Sequence, residues 1–480
     1  MVMKDKVLLV NTNLIKPPVT PIGLDYIGSA LVKNGYKVEL LDLNFSENIK
    51  EDLRKKLAGN SFLAIGATVR NTDDCYYLSQ ESFLPRVKEI VTLIRKYSDS
   101  PVIIGGGGFS VMPLEITEYL NADFGIAGDG EFILPMLLRI IEENRKYPDV
   151  LNNIKGAAFK GPGCRIIKLQ SGSLEEYPLS SRDLVDNKRY FREGGMGSIE
   201  TKRGCDRKCI YCADPLIKGS KIRTRPVKTV IEELKNLIGK NINYIHFCDS
   251  ELNIPSSYAA ELLNQIIENG LGGKIRWYSY MRPAYFNENF VRLLKKSGCE
   301  GINFGVDSAH STVLKNLCRD HSLEDLENIS RLCLKYKIRF MFDLLLGGPG
   351  EDRKTIKYTI DSVKRLKPTC VGVSYGIRIY PGTTLSNMIK KDASMKNNLY
   401  GNNGSSSSFL EPVFYISEKI GKDLVGYTNS LVSGDRRFFI GASDKSDRNY
   451  NYNENIKLQK AIKSGHRGAF WDILQRLNSD

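Results

Sequence analysis

The first 145 residues alternate short apolar runs with segments whose apolar residues recur at helical spacing. The strand-like runs are residues 6–11, 37–43, 62–67, 101–106 and 123–128. The helix-like segments are residues 23–35, 86–97 and 131–143. Strands that alternate with amphipathic helices predict an α/β fold with a doubly wound, Rossmann-like parallel sheet.

A second series of strand-like runs follows a mixed, polar stretch. Its six members are residues 197–201, 242–248, 274–280, 301–306, 338–347 and 370–380. Helical patterns separate them, so they predict a partial (β/α)6 barrel. We expect a sheet domain at 1–145, a connector at 146–195, a barrel at 196–390 and a C-terminal region at 391–480. Within that region, 391–408 is typical of a linker and 409–480 of a small appendage that ends in a helix.

Composition narrows the class of protein. The 480 residues include 69 basic and 55 acidic side chains, a formal net charge of +14. The surplus is spread along the chain without an arginine-rich block, which is typical of a solvated surface and gives no sign of DNA binding. No apolar run has the eighteen residues of a membrane span, and seven of the ten cysteines are scattered. We therefore expect a cytoplasmic protein with no membrane span.

The remaining three cysteines, Cys205, Cys209 and Cys212, lie within eight positions directly after the first barrel strand. Loops after barrel strands lie on the active-site face. Closely spaced thiolates hold zinc or iron–sulfur clusters. Three sulfurs on a [4Fe–4S] cluster leave one iron open to a small molecule. The alternatives are zinc with Cys248 as a fourth sulfur, or no metal.

The spacing C-x3-C-x2-C, with Tyr211 before the last cysteine, resembles the signature of radical S-adenosylmethionine (SAM) enzymes. In that family the open iron binds the amino and carboxylate groups of SAM. The resemblance continues through "HFCDSELN" (246–253), "FGVDSA" (304–309) and "LLLGGPGED" (344–352). It implies SAM contacts from Asp249, Ser250, Asp307, Ser308, Gly347, Gly348 and Gly350. Glu251 is a candidate for the SAM amino group or for the open iron itself, while Asp249 and Ser250 are alternatively helix caps.

Several strand ends of the first sheet carry unusual polar or glycine-rich segments, and parallel sheets bind ligands at that edge. Together with "PIGLDYIGSALVKNGYKVELLD" (21–42), these segments resemble the cobalamin-binding domain of one class of radical SAM enzymes. The residues that the resemblance assigns to cobalamin are Arg70, Asn71, Gly105, Gly106, Gly107, Gly108, Gly128 and Glu131.

The sequence departs from many cobalamin proteins in one respect: no histidine precedes His246. Cobalt therefore receives no imidazole from this domain. Arg70, in "TVRNTDD" (68–74), is a candidate to occupy the lower face of cobalamin and discourage an axial ligand. The alternative for Arg70 is a salt bridge to Asp73 or Asp74.

A cobalamin domain beside a radical SAM barrel resembles the cobalamin-dependent radical SAM methyltransferases. This resemblance implies a methyl group that passes from SAM through cobalamin to a substrate carbon, and an electron donor such as flavodoxin or ferredoxin. "WYSYMRP" (277–283) and "GHRGAFWDIL" (465–474) are most similar to the tryptophan 2-C-methyltransferase subgroup. In that subgroup Tyr278, Tyr280 and Arg282 would face the substrate, a small molecule or a peptide.

An aromatic acceptor is favoured, since flat side chains stack on planar groups. The candidates are Trp277, Tyr278, Tyr280, Tyr375, Tyr380 and Trp471. The alternative for each is ordinary core packing. An sp² carbon needs no hydrogen abstraction, so Glu251 on the open iron would leave SAM as a methyl donor only. The alternatives for the whole chain are a ring contraction or cyclisation without methyl transfer, a non-catalytic cobalamin or redox sensor, and a radical SAM enzyme whose sheet binds no cobalamin.

Overall fold

The computed structural model contains two parallel sheets, each covered by helices. It describes residues 6–143, 157–159, 172–177, 179–401, 409–440 and 452–478, with backbone alone for 157–159. Among these residues, no helix is long and apolar enough to cross a bilayer.

The amino-terminal sheet confirms the predicted parallel α/β fold. In spatial order its strands are Lys37–Asp42, Lys6–Asn11, Ala64–Thr68, Val102–Gly105, Phe124–Ile126 and Ala157–Phe159. The first five are parallel, and only the last runs antiparallel. The strand order reverses at Lys6–Asn11, which creates a ligand-binding crevice at the carboxyl ends of the strands.

Helices cover both faces of this sheet. They span Ile22–Lys33, Ile49–Leu57, Leu84–Tyr97, Gly107–Val111, Pro113–Leu120 and Gly130–Glu142. The helix Ile49–Leu57 was not predicted, because it is mostly charged and buries only Leu53 and Leu57. The short helix Gly107–Val111 was also missed, since consecutive glycines have low helix propensity.

The second sheet forms an open, seven-stranded barrel. In spatial order its strands are Gly197–Ile199, Tyr244–Phe247, Arg276–Met281, Cys299–Asp307, Arg339–Leu346, Cys370–Tyr375 and Phe438–Ile440. Every neighbouring pair is parallel. The six predicted strands are present, but the appendage prediction is incomplete because Phe438–Ile440 adds a seventh. Three residues beside a charged segment are too short a run for periodicity to detect.

The barrel helices lie between and beyond the strands. They span Asn187–Gly194, Asp214–Lys218, Val227–Gly239, Ser256–Glu268, Glu288–Lys296, Ser311–Asn316, Leu323–Tyr336, Arg353–Leu366, Thr384–Lys391, Leu424–Val432, Ile456–Lys463 and Phe470–Leu477. Short 3₁₀ turns occupy Leu43–Phe45, Leu174–Glu176, Ala393–Asn398 and Glu418–Ile420.

Two small antiparallel sheets complete the fold. Leu399–Tyr400 and Ile377–Arg378 both pair with Phe414–Tyr415, so the described part of the predicted linker is structured; residues 402–408 lie outside the described residues. The predicted strand 370–380 is interrupted at Gly376, whose φ of 66° turns the chain into this small sheet. A hairpin pairs Lys202–Arg203 with Arg223–Thr224.

A buried network of charges joins the two large sheets. Arg182 lies between Asp25 of the amino-terminal domain, at 3.3 Å, and Glu233 of the barrel, at 3.0 Å. Arg225 pairs with Glu233 at 2.6 Å, and the Tyr26 hydroxyl donates to the same carboxylate at 3.0 Å. Because breaking a buried pair leaves an unpaired charge, the network fixes how the domains face each other.

Candidate functional site

Three cysteines and one carboxylate share a small cavity at the carboxyl end of the barrel. Cys205, Cys209, Cys212 and Glu251 line a space of about 130 Å³ that also contacts Tyr280. The cysteine loop is held in place by hydrogen bonds from Cys205 N to Gly219 O at 3.1 Å and from Cys212 N to Cys209 O at 3.2 Å. The structure thus brings together residues that the sequence predicted as cluster ligands, SAM contacts and substrate contacts.

The thiols need a positively charged partner to ionise. Burial raises the pKa of Cys205 to about 11 and also raises the pKa values of Cys209 and Cys212. Arg319 partly offsets this effect at Cys209, since its guanidinium donates to Sγ at 3.1 Å. A metal cluster would supply the remaining charge, so the donor set fits an iron–sulfur cluster.

The geometry gives little support to zinc. Cys248, the fourth sulfur of that alternative, lines the neighbouring larger cavity rather than the cavity of the three cysteines. Within the part of the chain that the structure describes, no three His, Cys, Asp or Glu side chains converge as ligands of a single metal ion.

Glu251 is surrounded by cations. Burial raises the pKa of its carboxyl group, while Arg319, Arg282 and Arg207 oppose the shift. A carboxylate that faces the same cavity as three thiols is available to a fourth iron position or to the amino group of SAM.

The residues beside Glu251 differ in what they contact. Ser250 lines the cavity and donates to Asp214. Asp249 is 3% exposed and accepts from the backbone of Thr201 at 2.8 Å and Lys202 at 3.2 Å. The structure therefore does not bring the Asp249 carboxylate to SAM; it anchors the first barrel strand to the second.

The two polar residues of the fourth-strand segment, Asp307 and Ser308, also differ in what they contact. Asp307 accepts from the Tyr211 hydroxyl at 2.6 Å and pairs with Arg319 at 3.1 Å, which connects it to the cysteine loop. Ser308 is completely buried, and its hydroxyl contacts Thr359 Oγ1 at 2.9 Å. The predicted SAM contact of Ser308 does not fit this placement, because its hydroxyl is used inside the protein.

The fifth-strand glycines form a tight turn. Gly347 and Gly350 have φ values of 112° and 79°. The amides of Gly347 and Gly348 both donate to the buried carboxylate of Glu351, Gly348 at 3.1 Å. The turn is therefore rigid, and its residues stay candidates for the adenine side of SAM.

A larger cavity, of about 620 Å³, lies between the two domains. The predicted cobalamin residues that line it are Arg70, Asn71, Gly105, Gly106, Gly107, Gly108, Gly128 and Glu131. The barrel contributes Cys212 and Asp214, which also line the cysteine cavity, so the two spaces adjoin. The buried hydroxyl of Thr20, on the cavity wall, has no hydrogen-bond partner among the described residues, which fits a polar ligand.

The glycine run is required by a close approach of two loops. A Cβ atom on Gly106 would lie 2.5 Å from Val69 O, and one on Gly108 would lie 2.7 Å from the carbonyl carbon of Asn71. Gly108 N donates to Arg70 O at 2.8 Å. The glycines thus hold the loop that carries Arg70 at the cavity edge.

Arg70 makes none of the salt bridges considered from the sequence. Asp73 instead receives Arg378 at 2.9 Å, and Asp74 accepts from Ser79 and from Tyr76 N. Within the described residues the Arg70 side chain has no hydrogen bond or ion pair. The side chain is exposed and lines the cavity between the domains.

Glu131 has a different partner from the one expected. It reaches the cavity wall, but Arg203 Nη2 binds its Oε1 at 2.7 Å and Nη1 binds its Oε2 at 3.1 Å. A role in holding cobalamin is therefore indirect.

Most of the predicted stacking aromatics are packing residues. The indole of Trp277 is buried and donates to Ser297 O at 2.9 Å. Tyr278 donates to Asp472 at 2.8 Å and packs on Trp471, while Tyr375 is 2% exposed. The stacking prediction is wrong for these four residues, because the three strand residues face the core or the tail helix and Trp471 packs from that helix against Tyr278.

Tyr280 and Tyr380 do line the cavities. Tyr280 is 41% exposed, and its hydroxyl has no hydrogen bond within the described residues. Arg282 is buried, pairs with Asp320 and lies 5.0 Å above the Tyr285 ring. Arg282 therefore does not fit the predicted contact with a substrate. Its charge instead pairs with Asp320 and opposes the rise in the pKa of Glu251.

Two cationic residues of the site were missed. Arg319 contacts both Cys209 and Asp307, and Arg203 joins the cysteine loop to the first domain. Arg203 stands two positions before Cys205, which is its only signal in the sequence; Arg319 belongs to no motif.

Comparison with known proteins agrees with both halves of this arrangement. Residues 9–138 match the model of the B12 binding domain, and residues 199–363 match the model of the radical SAM superfamily. The chain belongs to the cobalamin-dependent radical SAM methyltransferases. The predictions of an enzyme, of methyl transfer and of the cofactor classes are thereby confirmed.

The individual relatives are more specific. The chain is 30% identical to the tryptophan 2-C-methyltransferase of Streptomyces laurentii over 79% of this chain and 74% of the relative. It is 29% identical to the methyltransferase TsrM from Kitasatospora setae, solved with tryptophan substrate and a SAM analogue, with a TM-score of 0.90 and coverage of 99% and 98%. The cobalamin-dependent radical enzyme OxsB shares the fold, with a TM-score of 0.70 and 21% identity over 89% of this chain.

Proposed function

We propose that this methyltransferase acts on C2 of the indole ring of tryptophan or of a closely related molecule. The likeness to TsrM along nearly the whole chain supports this substrate. The observation that carries the proposal is the shared wall of the two cavities at Cys212 and Asp214, which would let cobalamin in the larger cavity face SAM in the smaller one. When bound, cobalamin relays a methyl group from SAM to carbon, and the cluster anchors SAM.

The chain's own residues position and protect these groups. Cys205, Cys209 and Cys212 would hold the cluster, and Glu251 would take the position on the open iron that reductive cleavage of SAM requires. Tyr280 offers a free hydroxyl to the substrate at the boundary of the cluster cavity. Arg70 would keep a positive charge at the lower face of cobalamin, where it would disfavour a further ligand to cobalt.

An assay of two products tests this function. We expect reduced enzyme with SAM and tryptophan to give an indole product heavier by one methylene, with little 5′-deoxyadenosine. Glu251→Gln should raise 5′-deoxyadenosine, whereas Glu261→Gln, an exposed carboxylate on the next helix, should not. Stoichiometric 5′-deoxyadenosine and a methyl group on an sp³ carbon would contradict the proposal.

The cluster ligands have a separate test. Replacing Cys205, Cys209 and Cys212 together with alanine should remove the iron and its visible charge-transfer band. Cys333→Ala, a buried cysteine of a barrel helix, is the control and should retain both. A full cluster in the triple variant would refute the assignment.

We also propose that an acidic electron-transfer protein, such as a flavodoxin or ferredoxin, docks over the cysteine loop. Lys208, Lys221 and Lys315 are exposed. Backbone hydrogen bonds from Cys205 N to Gly219 O and from Ile210 N to Leu317 O bring their segments around the loop. Lys208→Glu should slow reduction by flavodoxin but not by dithionite. Equal rates with flavodoxin would argue against this surface.

The proposed division of labour follows the two sheets. Residues 1–145 would hold cobalamin, 146–195 would connect, 196–390 would hold the cluster and SAM, and 391–480 would complete the barrel. A cytoplasmic location is proposed on the free thiols: all nine cysteines of the described residues are unpaired.

A further inference from the structure

The segment "GDGE", residues 128–131, which leads into the helix Gly130–Glu142, contacts the hairpin that leads into the cysteine loop. Arg203 binds Glu131 through two parallel hydrogen bonds, and its Nη1 also reaches Asp129 Oδ1 at 3.0 Å. On the opposite strand Arg223 binds the other oxygen of Asp129. Glu200 holds Arg203 Nε at 2.7 Å from within the barrel. Two guanidinium groups thus lie among three carboxylates at the boundary of the domains.

We propose that Arg203 is a positioning residue that sets the distance between the cobalamin site and the cluster site. Its side chain is 12% exposed, and those of Asp129 and Glu131 are 3% and 4% exposed. At this burial a two-pronged Arg–carboxylate contact is directional, because the two Nη atoms of the guanidinium and the two carboxylate oxygens must stay in one plane. A displacement of either loop would break it.

The connection from Arg203 to the cluster is short and stiff. Only Gly204 separates it from Cys205. Gly204 has a φ of 94°, and a Cβ atom there would lie 2.0 Å from Lys221 O. The loop backbone is therefore pressed against the facing segment, and the position of Arg203 fixes that of Cys205.

The other end of the contact is equally close to the cobalamin site. Gly128, Asp129, Gly130 and Glu131 all line the cavity between the domains, as do Arg203 and Cys212. Gly128 N donates to Ser110 Oγ at 3.0 Å, and Ser110 Oγ donates to Gly106 O at 2.9 Å, which ties this segment to the glycine run 105–108. One continuous set of contacts thus runs from the glycine run to the first cysteine.

The proposal rests on methyl transfer between the two sites, so it is tested on the full-length enzyme with Arg203→Met and Arg203→Lys. Lysine keeps the charge but cannot make the two-pronged contact. We expect kcat for indole methylation to fall about 100-fold in Arg203→Met, with KM for tryptophan unchanged and with iron and cobalamin contents retained. The kcat of Arg203→Lys should lie between those of Arg203→Met and wild type.

A second measurement does not depend on activity. In cofactor-free protein, hydrogen exchange should become faster at 128–131 as well as at 204–213 when Arg203 is replaced. Arg95→Met, which breaks a half-exposed pair with Asp123 inside the first domain, should change neither segment. If Arg203→Met does not fold, Glu131→Gln tests the same contact with less disturbance.

Two outcomes would overturn the proposal. One is a loss of activity in Arg203→Met that is fully explained by a matching loss of iron or cobalamin. The other is unchanged exchange at 128–131. If wild type fails to methylate tryptophan, the exchange experiment still decides the positioning role, so failure of the proposed substrate is distinguishable.

Discussion

Arg70 carries a charge that no described residue neutralises, and it does so beside the larger cavity. The side chain is exposed and so needs no protein partner; its place on the cavity wall is what favours a functional use. Because no histidine precedes His246, we propose that this side chain occupies the lower face of cobalamin.

Electron paramagnetic resonance of the cob(II)alamin-loaded protein checks this role. We expect no nitrogen splitting from a protein imidazole in wild type. Arg70→Ala should admit water to that face and change the cobalt signal, since the cation no longer excludes it. Arg86→Ala removes an exposed cation that pairs with Glu89 and does not line the cavity between the domains, so it should leave the signal unchanged. Imidazole splitting in wild type would contradict the assignment.

His321 gives the protein a pH dependence of stability. Burial, with Arg319 nearby, lowers the pKa of this histidine to about 4, and its Nε2 donates to Val306 O at 3.0 Å. The unfolded chain, with an ordinary pKa near 6.5, binds the proton more readily, so the free energy of unfolding falls as pH drops from about 6.5 towards 4.

Urea unfolding of the apoprotein measures this loss. Between pH 8 and pH 5 the histidine should account for about 2 kcal/mol of lost stability. His321→Gln keeps a donor for Val306 O without a titrating group, so its pH slope should be shallower by that amount. Parallel slopes for the two proteins would show that His321 is not buried in its neutral form.

Residues within one loop were more predictable than residues that meet across the fold. Three cysteines within eight positions of one loop must lie close together, so the sequence was sufficient to predict that they share a cavity. Arg319 meets Cys209 from 110 positions away, and no local pattern encodes that contact. Asp249 and Ser308 belong to the right motifs, yet hydrogen bonds inside the protein occupy them.

At the scale of elements, the tail helix Phe470–Leu477 acts as part of the barrel floor. Trp471 is 2% exposed, and its indole Nε1 donates to Asn303 Oδ1 at 2.6 Å. Its ring also restricts the fourth strand, since a Cβ atom on Gly301 would lie 3.0 Å from it. The sequence predicted the helix from its period but not its place, because the burial of an aromatic stripe does not specify what covers it.

Thermal and urea unfolding of Trp471 variants test this packing. Trp471→Ala should cost about 3–5 kcal/mol through the cavity it leaves. Trp471→Phe should cost about 1–3 kcal/mol, because Asn303 loses its donor. Ile456→Ala, at an exposed position of the preceding helix, should stay within about 0.5 kcal/mol of wild type. A similar small effect for Trp471→Ala would mean that the tail helix is not docked.

At the scale of the whole molecule, alternating strands and helices were sufficient to predict both parallel sheets. The orientation of one sheet to the other was not predictable. It depends on single charged residues such as Asp25, Arg182 and Glu233, which in sequence are indistinguishable from solvated surface charges.

Removing Arg182 should therefore uncouple the domains. Arg182→Met leaves the buried carboxylate of Asp25 without its cation, while Glu233 keeps Arg225, and the expected loss is about 3–5 kcal/mol. The double variant Arg182→Met, Asp25→Asn removes the unpaired carboxylate and should recover part of that loss. Calorimetry of the apoprotein checks both. A single transition at the wild-type temperature in Arg182→Met would exclude the coupling role.

The seventh barrel strand has a consequence for the order in which the chain is made. A ribosome releases every described strand of the amino-terminal sheet before residue 160. Cys370–Tyr375 emerges with one edge bare and stays so until Phe438–Ile440 has left the exit tunnel and paired with it. Bare strand edges invite pairing with other chains. The nascent protein thus passes through an interval in which all strands of the first sheet have emerged while the barrel still has an unpaired strand edge.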